Sequence, residues 1–153
     1  MVGIIKTESR GLHCGGSLIH PNWILTASHC FFDDDNKELD LTEKKNNLTA
    51  FFGMTDLGLV PNSRAYKRSK HVERPILTYL THDDYEDGRA YNDIALAFVE
   101  AVEFTKLIFP ICIPRFPVAS PDSLSGKAVE ILGYSLETKH GKGMRMIALS
   151  KCE

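Results

Sequence analysis

No apolar run in these 153 residues approaches the roughly 20 residues that a membrane-crossing helix needs. The first ten residues, MVGIIKTESR, lack the longer apolar core of a secretory leader. Charge of one sign is also missing. Eighteen basic and 20 acidic residues leave a net charge of −2, which argues against nucleic acid or a membrane surface as partner. None of the four cysteines (Cys14, Cys30, Cys112 and Cys152) forms a CxxC pair, so zinc-ribbon and thioredoxin-like readings are set aside. There is no low-complexity tract, no repeat of fixed period and no long apolar pattern at helical spacing.

What remains is a chain of short apolar runs divided by turn formers. Val2–Ile5, Ser17–Ile19, Trp23–Ala27, Leu48–Phe52, Ile76–Leu80, Ile94–Val99 and Val129–Leu132 read as strands, rich in β-branched and aromatic residues. Pro21-Asn22, the stretch 33–36, Pro61-Asn62-Ser63 and the stretch 83–88 separate them. The pattern is all-β, and about seven short strands suggest a barrel or sandwich. Prolines at 110, 114, 117 and 121 mark an extended linker. We place a crossover between domains there: residues 1–109 form a first domain, 110–126 connect, and 127–153 hold only an incomplete hairpin. A hairpin alone is marginally stable in water, and unpartnered apolar strands aggregate. Residues 1–153 by themselves are therefore expected to be poorly soluble.

Two segments carry chemistry. Cys14 to Cys30, CGGSLIHPNWILTASHC, ends an apolar run on His29 beside a cysteine. Asn92 to Val99, NDIALAFV, opens an apolar run on Asp93. A general base must be held in one orientation with one tautomer fixed, and a carboxylate at a buried strand needs a partner. His29 and Asp93 thus form a candidate base and orienter. Standing alone, His29 would more often be structural, and Asp93 a strand-end cap. The acidic stretches at 33–35 and 83–87 lack the spacing of a calcium loop. His13, His20, His71 and His82 fit no metal-ligand spacing. No metal and no cofactor is expected. Four cysteines without metal spacing favour an oxidising, extracellular compartment. Asn47-Leu48-Thr49 is a glycosylation sequon that agrees with secretion.

These segments closely resemble the trypsin/chymotrypsin family of serine endopeptidases. The first is similar to that family's histidine motif, ending T-A-S-H-C, and YNDIALAFV to its aspartate motif. His82-Asp83-Asp84-Tyr85 resembles the family's His-Pro-x-Tyr stretch. Pro110–Pro114 resembles the crossover between its two barrels, and Val129–Ser135 the strand that opens the second. The resemblance implies an antiparallel double β-barrel, first barrel nearly complete and second truncated. It implies that His29 is the general base, that Asp93 is the buried carboxylate within hydrogen-bond reach of it, and that Cys14 and Cys30 are disulfide-bonded. It also implies protein or peptide substrates, and a bond from Cys112 to a propeptide or light chain. Cys112 and Cys152 are accordingly expected to be unpaired within this chain. Several family features are absent: the Gly-Asp-Ser-Gly-Gly segment with its nucleophile, the oxyanion-hole glycine, the specificity pocket and the Ile/Val-Val-Gly-Gly N-terminus. Met54 stands where calcium-binding members carry a glutamate, and Gly133-Tyr134-Ser135 where Gly-Trp-Gly is usual. The implied protein is a secreted serine endopeptidase, present as a piece without its nucleophile and inactive alone. The alternative is a non-catalytic, protease-like binding module.

Overall fold

The computed structural model describes residues 1–8, 11–54, 70–86 and 91–113, and the backbone of 134–136 and 144–146. Six antiparallel strands close a barrel: β1 (Val2–Lys6), β2 (Leu12–His20), β3 (Trp23–Thr26), β4 (Leu48–Phe52), β5 (Val72–Thr81) and β6 (Ala95–Val99), in the order β1-β2-β3-β6-β5-β4. Closure of β1 on β4, from Val2↔Phe52 to Lys6↔Leu48, leaves no unpaired sheet edge in the ring. Among the described residues there is no α-helix, only 3₁₀ turns at Ser28–Phe31 and Lys44–Asn46.

Side chains alternate across a strand, and the core follows that period. Val2 and Ile4 of β1, Cys14 and Leu18 of β2, Leu48, Ala50 and Phe52 of β4, and Ala95, Ala97 and Val99 of β6 all face one shared interior. Ile5, Phe51 and Met54 pack as a small cluster on the outer side, with Leu12 against it. Each fully buried aliphatic side chain contributes about 1.5–3 kcal/mol relative to exposure. Gly16 is forced by this packing. A Cβ there would meet Ile24 Cγ2 at 2.7 Å and the Leu25 carbonyl oxygen at 3.0 Å.

Two strands run longer than their apolar runs suggest. β2 begins at Leu12, five residues ahead of the expected Ser17, and β5 begins at Val72, four ahead of Ile76. In each case the extra residues find a second partner strand. Gly15 and Gly16 pair with Gly3 and Val2, and Val72 to Pro75 pair with β4 before Ile76 to Thr81 turn onto β6. Backbone hydrogen bonds to another strand are invisible in local apolarity.

A two-stranded hairpin, β7 (Tyr134–Leu136) with β8 (Met144–Met146), stands apart from the barrel's ladders. The expected strand Val129–Leu132 lies outside the described residues. One expectation is corrected. Cys112 is disulfide-bonded, and no described cysteine is free, so Cys112 does not offer an unpaired thiol to a propeptide or light chain. Its partner lies outside the described residues, as does Cys152. Whether two cysteines come within the 4.4–6.8 Å between Cα atoms that a bridge needs is a property of the folded path, not of their spacing in sequence.

Candidate active site

The register of β3 against β6 determines which residues meet at the barrel's rim. The ladder runs from Trp23↔Phe98 to Thr26↔Ala95. Continued two residues further, it sets Ser28 opposite Asp93. The chain does not continue as strand. Ala27 is extended, and Ser28–Phe31 then coil into one 3₁₀ turn. Three residues of that turn are buried: Ser28 at 0%, Cys30 at 1% and Phe31 at 0% exposure. His29 alone points out, with its side chain 58% exposed.

The buried three hold the turn from three sides. Ser28 Oγ donates to the Ile94 carbonyl at 2.8 Å. Cys30 is disulfide-bonded to Cys14 in the middle of β2. Phe31 stacks on Tyr79 of β5, ring centroids 4.2 Å apart and 9° from parallel. Tyr79 in turn donates its hydroxyl to the Leu39 carbonyl at 2.6 Å. Burial, reinforced by Glu38 and Asp40, pushes the Tyr79 phenol up to about 12, so it stays a donor at every ordinary pH.

Asp93 is aimed by the residue before it. Asn92 has φ +55°, a left-handed conformation that asparagine tolerates better than most residues. Its amide donates to the Asp84 carbonyl at 2.8 Å. The turn faces the Asp93 carboxylate toward His29 and engages both oxygens. Oδ1 accepts the His29 backbone N–H at 2.9 Å, and Oδ2 lies 2.8 Å from His29 Nδ1. An ionised carboxylate only accepts, so Nδ1 carries the proton and Nε2 of the neutral ring is left as the basic nitrogen. Burial opposes ionisation of Asp93. The hydrogen bonds from the His29 ring and backbone, the attraction to that ring when it is protonated, and the Ser28 N–H outweigh it and hold the carboxyl below the usual aspartate value. The arrangement can take up a proton at Nε2 and stabilise the resulting imidazolium.

His29 Nε2 lies 3.7 Å from Cys30 Sγ and 3.8 Å from Cys14 Sγ. With the sulfurs bonded to each other and the nitrogen bare, there is no proton between them, and these are van der Waals contacts. His20, His71 and His82 serve local structure. His20 Nδ1 accepts the Asn22 N–H, His82 Nδ1 accepts the Asp84 N–H, and His71 pairs with Glu73 at 3.0 Å. Asp33 Oδ1 accepts the backbone N–H groups of Asp35 and Lys37, an Asx turn. Asn47 is half-buried at the entry to β4, and its sequon threonine, Thr49, is buried with its hydroxyl 2.8 Å from that of Thr7.

Four residues with no role assigned from sequence shape the site: Ser28, Tyr79, Asn92 and His13. A polar Ser28 at the end of an apolar strand, and an asparagine before a strand-opening aspartate, were the available signals. Nothing local marks Tyr79. His13 lies beside Cys14, and its Nε2 is 2.8 Å from the Cys30 carbonyl. A carbonyl only accepts, so Nε2–H donates. Burial lowers the His13 pKa most; the bond to Cys30 opposes this, while Lys6 and His29 add to the lowering. Folded His13 is therefore neutral where an unfolded histidine begins to take up a proton, below about pH 6.5. The unfolded state then binds more protons, and stability falls as pH drops through that value towards the folded pKa. We expect His13→Gln to flatten the stability-against-pH curve between about pH 7 and 5. An unchanged slope in urea titrations, or a His13 ring signal titrating at or above 6.5, would contradict this.

The chain resembles known proteins along nearly its whole length. The family profile described as Trypsin matches residues 1–150. The chain is similar to the suppressor of tumorigenicity 14 protein homolog of Bos taurus, 29% identical over 159 residues, covering 97% of this chain and 17% of that protein. It is also similar to vitamin K-dependent protein C of Rattus norvegicus, 28% identical over 151 residues, and of Mus musculus, 29% identical over 153. Each of these two alignments covers 96% of this chain and 29% of the relative. The chain thus spans less than a third of the length of these curated relatives. With a profile match over nearly every residue and a six-stranded barrel carrying the histidine and aspartate segments on adjoining strand ends, the chain belongs to the trypsin/chymotrypsin family of serine endopeptidases.

Proposed function

We propose that this chain carries the base-and-orienter half of a secreted serine endopeptidase. His29 is the general base and Asp93 fixes its tautomer. The observation that supports this best is the contact of Asp93 Oδ2 with His29 Nδ1 at 2.8 Å, which leaves Nε2 as the proton acceptor. In peptide hydrolysis a serine hydroxyl attacks the scissile carbonyl, Nε2 takes its proton, and the imidazolium returns that proton to the leaving amine. Substrates are proteins or peptides, and the setting is extracellular. In this reading residues 1–109 are the first barrel, 110–126 the crossover and 127–153 the opening hairpin of a second barrel, with Asn47 a glycan acceptor. No Gly-Asp-Ser-Gly segment occurs in the 153 residues, so the chain by itself is inactive.

Reading the coding sequence beyond Glu153 and treating the protein with a fluorophosphonate tests this. A Gly-Asp-Ser-Gly segment there, a labelled serine and loss of labelling on His29→Ala are the expected results. Glycine or alanine in place of that serine would make the protein a non-catalytic, protease-like binding module. Residues 1–153 alone are expected to stay unlabelled. Stoichiometric labelling of any serine in them would overturn that part of the reading.

A further inference from the structure

β4 enters the barrel at Asn47. The Asn47 carbonyl accepts the Thr7 N–H at 2.8 Å, and its own N–H donates to the Lys44 carbonyl at 3.3 Å, so the backbone is held from both sides. The Asn47 side-chain amide is not held: it has no hydrogen-bond partner among the described residues. Asn47 lines a groove of about 310 Å³, at the lower end of the roughly 300–1,000 Å³ of small-ligand pockets. Leu41, Pro75 and Leu77 give the groove apolar surface, and Thr7 and Thr49 give it hydroxyls. None of its described lining residues carries a charge, in a chain where 25% of residues do. An ionic ligand would find no counter-charge there. A neutral ligand with one apolar face and a rim of hydroxyls matches the lining, and that is the chemistry of a pyranose ring. Leu77 is 52% exposed, so the bare chain leaves apolar surface open at this place.

We propose that, given the extracellular setting and the Asn47 glycan inferred above, the first N-acetylglucosamine of that glycan lies in this groove. Its apolar C–H face rests on Pro75 and Leu77 and its polar edge meets Thr7. The sugar is bonded to a residue of the groove itself, so it is delivered there at high effective concentration. Covering the apolar surface of Leu77 favours the docked position. The sugar thereby bridges the stretch 41–47 to β5 across the start of β4.

Attachment precedes closure of the barrel. The acceptor sequence is read as Asn-x-Thr, and in the closed barrel Leu48 is 2% and Thr49 7% exposed, paired with Lys6 and Ile5 of β1. In the transfer, the Asn47 amide nitrogen bonds to the anomeric carbon of a sugar carried on a lipid diphosphate. The bond from that carbon to the diphosphate oxygen breaks, the lipid diphosphate leaves with the electron pair, and the amide gives up one proton.

For the test, the full-length protein is secreted from a host that attaches only high-mannose glycans, then trimmed with endoglycosidase H to one N-acetylglucosamine. Peptide N-glycosidase F in ¹⁸O-water should mark residue 47 as the occupied asparagine. In the trimmed protein, nuclear Overhauser effects should join the sugar's N-acetyl and ring protons to the methyl groups of Leu41 and Leu77. Its Tm should stand several degrees above that of Asn47→Gln. That gap should close in a Leu77→Ser background, where the sugar stays attached but loses its apolar contact. Folded, unglycosylated protein should accept no glycan from a microsomal transferase. An unoccupied Asn47 would overturn the acceptor reading and the docked sugar with it. An occupied Asn47 without those Overhauser effects, or a Tm gap unchanged by Leu77→Ser, would overturn the docking alone. Transfer to the folded protein would overturn the order of attachment before closure.

Discussion

Asp93→Asn is expected to lower kcat by on the order of 10⁴ in any form of the protein that includes the nucleophile, while the barrel stays folded. An amide at this position offers one acceptor where the carboxylate offers two, and both carboxylate oxygens are occupied, one by the His29 backbone N–H and one by Nδ1. If the substituted side chain keeps the backbone contact through its carbonyl, its NH₂ faces the ring and Nδ1 must become the acceptor. The proton then moves to Nε2, and the base is lost by tautomer rather than by displacement. The same switch can be read in residues 1–153 by a measurement that requires no catalysis. The imidazole ¹⁵N shifts of His29 should report protonated Nδ1 in the native chain and protonated Nε2 in the variant. A variant that keeps the native tautomer would refute this role for Asp93. The native contact also has a pH signature. The folded Asp93 carboxyl is held below its ordinary value, so its contribution to stability is present above about pH 4 and is lost as pH falls towards the folded pKa.

Phe31→Ala is expected to destabilise the barrel by about 3–5 kcal/mol, the range for emptying a buried aromatic site. Phe31 is wholly buried and stacked on Tyr79, two residues beyond His29 in the same turn. For a domain of about 100 residues this loss corresponds to a fall in Tm of tens of degrees, about 4–8 °C per kcal/mol. The turn would then rest on the Cys14–Cys30 bridge and on its hydrogen bonds to Ile94, Asp93 and His13, without an aromatic packed beneath it. His29 should therefore broaden or move in NMR spectra even where the barrel remains folded. A Tm within a few degrees of the native chain would show that the turn does not depend on this stack.

The six barrel strands could be located from sequence because each carries a run of β-formers bounded by turn residues, and four of them run within one residue of those limits. β2 and β5 extend beyond their apolar runs at their N-terminal ends. Glycines and mixed polar residues there, such as Gly15, Gly16, Glu73 and Arg74, become strand by pairing with β1 and β4, and no local signal reports a distant partner.

For the site the division falls elsewhere. The sequence by itself determined the residue types and their order: a histidine between Ser28 and Cys30, and an aspartate opening an alternating apolar strand. Those choices are chemical, and composition at one position is enough to make them. Only the tertiary structure decided that His29 and Asp93, separated by 64 positions, are joined by two hydrogen bonds. That depends on β3 lying beside β6 in a register that sets Ser28 opposite Asp93, although β4 and β5 come between them in the chain. It also decided that Tyr79 braces the turn carrying His29 and that two sulfurs sit against Nε2. Strand neighbourhood in a closed barrel is settled by which faces bury together, a property of all six strands at once that no single segment encodes.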